Sequence, residues 1–259
     1  MSRRIAAGGW WITASALALA AGIHAQGRGG PGGPPAAARI AAPIDVTGYW
    51  VSQIVDEWRF RVEPQKGDIP YLPINAAARR IALAWDPAKD EADGNPCKAY
   101  GAVGVMQRPG RLHITWADDN TLTIETDAGT QTRVLHFGQM AAASGPPSWQ
   151  GTSVARWDVP GGGRRGAVLP TGATPSGTLD VVTTNMNAGY IRKNGVPYSE
   201  KAVLTEHINV LTGAEGEKYL IVTAMVDDPT YLNQPFIRSY QFKKQPDGKG
   251  WDPTPCMPR

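Results

Sequence analysis

Residues 111–127 read RLHITWADDNTLTIETD, and their pattern decides the fold class. Leu112, Ile114 and Trp116 alternate with His113 and Thr115. Leu122, Ile124 and Thr126 alternate with Thr121, Thr123, Glu125 and Asp127. A period of two gives each run opposite faces, as an extended strand requires. Asp118-Asp119-Asn120 lies between them, and such side chains bond their own backbone in tight turns. The two runs predict an antiparallel hairpin.

Similar β-rich runs recur along the chain at 49–55, 133–137, 151–157, 178–186, 202–211, 219–226 and 236–243. Trp58, Phe60 and Val62 alternate with Arg59 and Arg61, which reads as a further strand with one polar face. Asn194-Gly195 and Asp247-Gly248 mark turns. One helix stands out: Asn75 can cap it, and Ala76 to Trp85 follow without Gly or Pro. Ile81 and Trp85 share a face of that helix, and Asp86-Pro87 ends it. The segment 86–96 reads as a polar loop, and Gly161–Gly177 as a Gly/Pro-rich loop. Many short strands in succession predict a mainly β fold, an antiparallel barrel or strongly curved sheet with one short helix. Gly48-Tyr49-Trp50 is similar to the Gly-x-Trp entry of lipocalin-like (calycin-like) barrels, where the Trp plugs one end.

The N-terminus has a different physical character. Arg3 and Arg4 precede an apolar or small-residue run from Ile5 to Ile23, and His24-Ala25-Gln26 offers a cleavage point. This is the layout of a secretory signal peptide over residues 1–25. An uncleaved anchor is the other reading of that run, weakened by Gly8, Gly9 and Gly22. Residues 26–44 are rich in Gly, Pro and Ala and have little to bury, which predicts a disordered linker. Residues 45–259 form a single domain of ordinary size.

The 259-residue chain has a formal charge of +3. Residues 1–25 hold two Arg and no acidic residue, so the mature part falls to +1. That leaves no basic excess for nucleic-acid binding. No later segment is apolar enough to span a bilayer. Cys97 and Cys256 are the two cysteines. In an exported chain they predict a disulfide, with two free thiols as the alternative. Export implies a periplasmic or secreted location.

No nucleophile elbow, phosphate loop, zinc-binding helix or dinucleotide fingerprint occurs, and no zinc- or calcium-ligand spacing. No cofactor or metal is therefore expected. The remaining candidates are polar residues set in strand patterns or turns. His136 lies between Leu135 and Phe137. Glu206 shares a face with Leu204 and Ile208, where a carboxylate needs a partner; Arg59, Arg61 and Arg133 are available, with the first two favoured. Tyr198, Glu200 and Asp228 sit at turns, where site residues concentrate. Seven Trp remain after residue 25, Trp149 among them, and aromatic rings suit either a core or a pocket for a flat apolar ligand.

Several segments together resemble a family of exported bacterial proteins of uncharacterised activity, β-rich and lipocalin-like. They are Leu72-Pro73-Ile74-Asn75, Cys97, Ser148-Trp149-Gln150-Gly151-Thr152-Ser153 with Trp157, and Leu179-Asp180-Val181-Val182-Thr183-Thr184. Further along come Asn194-Gly195-Val196-Pro197-Tyr198-Ser199-Glu200, Glu206, Asp227-Asp228-Pro229 and Pro235-Phe236. The resemblance implies export and a barrel-like fold. Members often carry His where Tyr198 stands, so it implies no imidazole role there.

Two functions follow as expectations. One is an exported module that binds a small apolar or aromatic ligand, using Arg59, Arg61, Trp149, Tyr198, Glu200 and Asp228. The other is a small acid/base enzyme, a lyase, isomerase or cyclase, with His136 and Glu206 as the proton-carrying pair inside the barrel.

Overall fold

The computed structural model describes residues 36–138, 145–159 and 176–258. The hairpin at 111–127 is present as β2 (Arg111–Asp118) and β3 (Thr121–Thr126). Trp116 pairs with Leu122, and Ile114 with Ile124. With β1 (Gly48–Gln53), β4 (Gln131–Phe137), β5 (Thr152–Asp158) and β6 (Thr178–Thr184), these strands form part of one sheet. It continues through β9 (Val203–Thr212), β10 (Lys218–Asp227) and β11 (Phe236–Lys244). The order is β1-β11-β10-β9-β6-β5-β4-β3-β2, and β1 also pairs with β2, so the sheet closes into a nine-stranded barrel. Closure removes the exposed edges that an open sheet would present.

The barrel differs from the expected all-antiparallel arrangement at one seam. β4 and β5 run parallel, with Leu135 beside Ser153 and Phe137 beside Ala155. Nine strands with one parallel pair depart from the eight-stranded up-and-down barrel of lipocalins. Trp50 of the Gly-x-Trp entry is fully buried, and its indole N–H donates to the Val46 carbonyl at 2.9 Å.

Residues 58–62 are a correction. They form a short helix, α1 (Trp58–Arg61), not a strand. Alternation over five residues cannot separate one helical turn from a strand, and here the turn bonds decide: Phe60 and Arg61 N–H both donate to Glu57 O. The expected helix is α2 (Ala76–Ala84), with the Asn75 side chain accepting from Ala78 N–H at 3.0 Å. Its buried face is Ala78 and Ala82, not Ile81. The polar loop after it contains α3 (Pro87–Ala92), capped by Asp86 with Pro at the first turn. α4 (Ala102–Val105) is wholly buried. A two-stranded ribbon, β7 (Gly189–Arg192) and β8 (Val196–Tyr198), turns at Asn194-Gly195.

The registers place these additions. β1 ends and β2 begins at one end of the barrel, and the 54–110 connection carries all four helices. β6 ends and β9 begins at that same end, and their connection carries β7–β8. α2 packs on β8, and α4 on β7. One end of the barrel is therefore capped by helices and the ribbon. The disulfide Cys97–Cys256 fastens the C-terminal segment to this cap. At the opposite end, Trp116, Phe137 and Trp157 stack in a row with 5.4 Å spacings. The Trp157 indole donates to Ala38 O at 2.8 Å, and Ala38 N–H donates to Asn120 at 2.9 Å. Residues 36–44, expected within the linker, are thus tied to the barrel. The proposed signal peptide lies outside the described residues, as does most of the Gly161–Gly177 loop. Among the described residues, no helix is long and apolar enough to cross a membrane.

Candidate functional site: buried arginines under the capped end

The barrel interior is side chain, not cavity, where it is described. A side chain bordering a water-sized void keeps accessible surface, yet Leu122, Ile124, Leu135, Leu179, Leu220 and Val222 keep none. Glu206 does face inward. Arg133 donates to it in a fork, at 3.0 Å and 2.5 Å, and both residues are buried. Arg133 also reaches Thr183, whose hydroxyl meets Ser153 at 2.8 Å. This is a polar network in an apolar core, with the Arg133 Nε left without a partner among the described residues. Arg59 and Arg61, the favoured partners, are not part of it, because α1 carries them to the capped end.

The other candidates scatter. His136 shares the outward face of β4 with Val134, so the barrel wall separates it from Glu206. It lines an external groove of about 550 Å³ with Trp149, Gln131, Asn185 and others. Arg59 is exposed and pairs with Asp68 at 2.7 Å. Tyr198 is fully buried, and burial raises its hydroxyl well above the usual phenol range. Its hydroxyl crowds Gly101 and Gly189, where an added Cβ would lie 2.5 Å and 2.7 Å away. The ring therefore locks the cap together. Glu200 is exposed. Asp228 is buried and accepts from Ser199 N–H, Ser199 hydroxyl and Thr230 N–H, the bonds of a loop cap. Arg61 alone among these residues belongs to the cluster described next.

Three guanidinium groups lie buried under the capped end. Arg61 is 2%, Arg108 5% and Arg192 1% exposed. Arg61 comes from α1, Arg108 from the turn between α4 and β2, and Arg192 from the end of β7. They are close enough for Arg61 and Arg192 both to disfavour the charge on Arg108. The Tyr240 ring of β11 lies among them, with the Arg61 guanidinium 5.2 Å from its centroid. Arg192 stacks on Phe60 at 4.3 Å and approaches Phe236 at 5.9 Å. Burial raises the Tyr240 hydroxyl well above the phenol range, so it stays a neutral donor.

The partners of these guanidiniums are few. Glu57, at the head of α1, accepts a fork from Arg238 at 2.8 Å and 3.0 Å and meets Arg192 at 3.4 Å and 3.5 Å. Arg61 donates through Nε to Gln107 O at 3.2 Å. Its terminal nitrogens have no hydrogen-bond partner among the described residues, and Asp56 is 3.6 Å away. Arg108 has no carboxylate partner there at all, and its Nε and one terminal nitrogen are unpaired. Desolvation, reinforced by Arg61 and Arg192 and opposed by Tyr100 and Tyr240, pushes its pKa down to about 10. That corresponds to about 3 kcal/mol against the charged form. At neutral pH the guanidinium still holds its proton, and an anion beside it would relieve that cost.

The fold treats its other buried charges differently. Asp90 accepts from Lys98 at 2.6 Å, Tyr190 at 2.8 Å and Trp85 at 3.1 Å. Asp228 accepts three hydrogen bonds, and Arg133 is matched by the Glu206 carboxylate although its Nε has no partner among the described residues. An uncompensated buried charge is costly, and such groups concentrate at functional sites. Sequence reasoning missed Arg108, Arg192 and Arg238. The available signal was a lone Arg against an apolar run: Arg108 follows Ala102–Met106, and Arg192 follows Ile191.

The cover over this cluster is thin. On α1, Trp58 is 69% exposed and Val62 is also exposed, so little packs over the helix. Glu57 holds a left-handed backbone conformation, φ 48°, which costs a non-Gly residue about 1 kcal/mol. Its two arginine contacts hold it there. Beside α1 lies a cleft of about 390 Å³ lined by Val62, Pro64, Trp85, Pro87 and Lys193 among others. No family model, curated protein or solved structure matches the chain.

Proposed function

We propose that the protein is an exported binding protein whose ligand is a small anionic molecule, held by Arg61, Arg108 and Arg192 under the capped end of the barrel. The observation that carries this reading is Arg108, a buried guanidinium without an anionic partner among the described residues. Guanidinium groups in a dry setting bind oxyanions strongly, because each offers a planar fork of donors. The barrel supplies a rigid wall through Tyr240 and Phe236, and the cap supplies the rest. A disulfide fits an oxidising compartment, in keeping with periplasmic or secreted residence.

Titration calorimetry at constant ionic strength tests the site. The mature chain should bind acetate or phosphate saturably, and Arg108→Met should abolish that heat. Heats that follow ionic strength alone, equal in the two proteins, would defeat the proposal. Export is tested separately by intact mass. Protein from the envelope fraction should begin at or near Gln26, and a full-length chain confined to the cytoplasm would contradict it.

A further inference from the structure

We infer that the ligand is a carboxylate with an apolar body, and that its carboxylate displaces Glu57 from the arginines, with α1 as the strap that moves. This rests on the anion-binding reading above. Glu57 already shows what the site accepts: a carboxylate received in a fork by Arg238 and contacted by Arg192. Phe236 lies beneath both guanidiniums, 4.7 Å from Arg238 and 5.9 Å from Arg192, and Phe60 lies 4.3 Å from Arg192. The clamp is thus planar and backed by rings.

The cleft beside α1 supplies the place for the rest of the molecule. Val62, Pro64, Trp85 and Pro87 give it an apolar side, and Glu63, Gln65, Lys66 and Lys193 a polar and charged one, with two cations to one carboxylate. Val62 directly follows Arg61, and Lys193 directly follows Arg192. The two chain segments that wall the cleft are thus the ones that carry Arg61 and Arg192. In this proposal the apolar body lies in the cleft and the carboxylate reaches past α1 to the cluster. An apolar lining with a few convergent charged groups is the usual composition of a small-molecule site.

The terminal nitrogens of Arg61 and the Nε of Arg108 are buried and have no hydrogen-bond partner among the described residues. Entry requires α1 to lift, and its attachments suit that. Glu57 at its start and Tyr71 beyond it both hold left-handed backbone conformations, φ 48° and 59°. Such positions persist only while their contacts hold them. The ion pairs of Glu57 are partly solvated, its side chain being 24% exposed. A tethered carboxylate of this kind competes with the ligand, and its release lets the ligand in.

Benzoate, acetate and inorganic phosphate distinguish the possibilities, measured by calorimetry on the mature chain and on Glu57→Gln. Benzoate should bind the wild type more tightly than either other anion. Glu57→Gln should raise benzoate affinity about threefold to fivefold, the worth of a partly exposed ion pair. Amide exchange reads the strap without a variant: saturating benzoate should speed exchange in residues 58–62 while the barrel strands stay protected. Phosphate binding better than benzoate overturns the carboxylate assignment and leaves the anion site standing. Unchanged or weakened benzoate binding in a folded Glu57→Gln, or slower exchange at 58–62 in the wild type, overturns the displacement. No binding of any anion to either protein removes both readings.

Discussion

Arg133 on β4 and Glu206 on β9 meet across the inside of the barrel as a forked ion pair, both out of contact with water. Their strands are not neighbours, so the pair spans the core and joins opposite walls. Removing one partner leaves the other charge buried alone. Glu206→Leu or Arg133→Met should each cost about 3–5 kcal/mol in denaturant unfolding. The double variant should recover much of that loss, because two apolar groups replace two compensated charges. Anion binding should be the same in the double variant as in the wild type. Single variants within about 0.5 kcal/mol of wild type would contradict the burial of the pair.

The Cys97–Cys256 disulfide closes a separation of 159 residues and pins the C-terminal segment beside Tyr100 and Gly129. In the chain-entropy account, opening so long a loop costs about 5 kcal/mol, less any loss to strain. Cys97→Ser/Cys256→Ser should therefore lower stability by about 3–5 kcal/mol. Thiol labelling of the folded oxidised protein should find no free cysteine. Full labelling of both would contradict the bond.

Alternation together with runs rich in β-branched and aromatic residues was enough to find nine of the eleven strands among the described residues, because most barrel strands bury one face and leave the other more open. Leu112, Ile114, Leu204 and Ile208 sit inside as their spacing requires. The same rule failed at Trp58–Val62, where the segment is too short for period two to exclude a helical turn. It was silent on β7 and β8, which form part of the cap and are buried on both faces, though the Asn194-Gly195 turn between them was legible. The parallel β4–β5 seam has no local signature. Of the site, Arg61 was nameable and placed on the wrong element. Arg108, Arg192 and Arg238 lie 130 residues apart at the extremes and meet only through the closure of the barrel.

Gly195 tests the cap. It turns with φ 83°, and an added Cβ would lie 2.2 Å from the Trp85 Cβ and ring. Gly195→Ala should therefore destabilise by about 1–3 kcal/mol, since both the backbone and the crowding oppose it. Unfolding should be followed by circular dichroism. Wild-type stability in this variant would mean that Trp85 does not pack on the ribbon turn.

The anion site proposed at the arginine cluster is tested most directly by Arg108→Met, because its two effects have opposite signs. An unpaired buried charge weakens the free protein, so a methionine of similar reach should raise stability without anion by about 1–2 kcal/mol. The same change should remove the saturable stabilisation that benzoate gives the wild type. Unfolding midpoints for both proteins, measured with and without benzoate at fixed ionic strength, supply the comparison. The account predicts curves that cross, with Arg108→Met more stable in plain buffer and unresponsive to benzoate. A variant that is less stable in plain buffer, or that responds to benzoate as the wild type does, contradicts it.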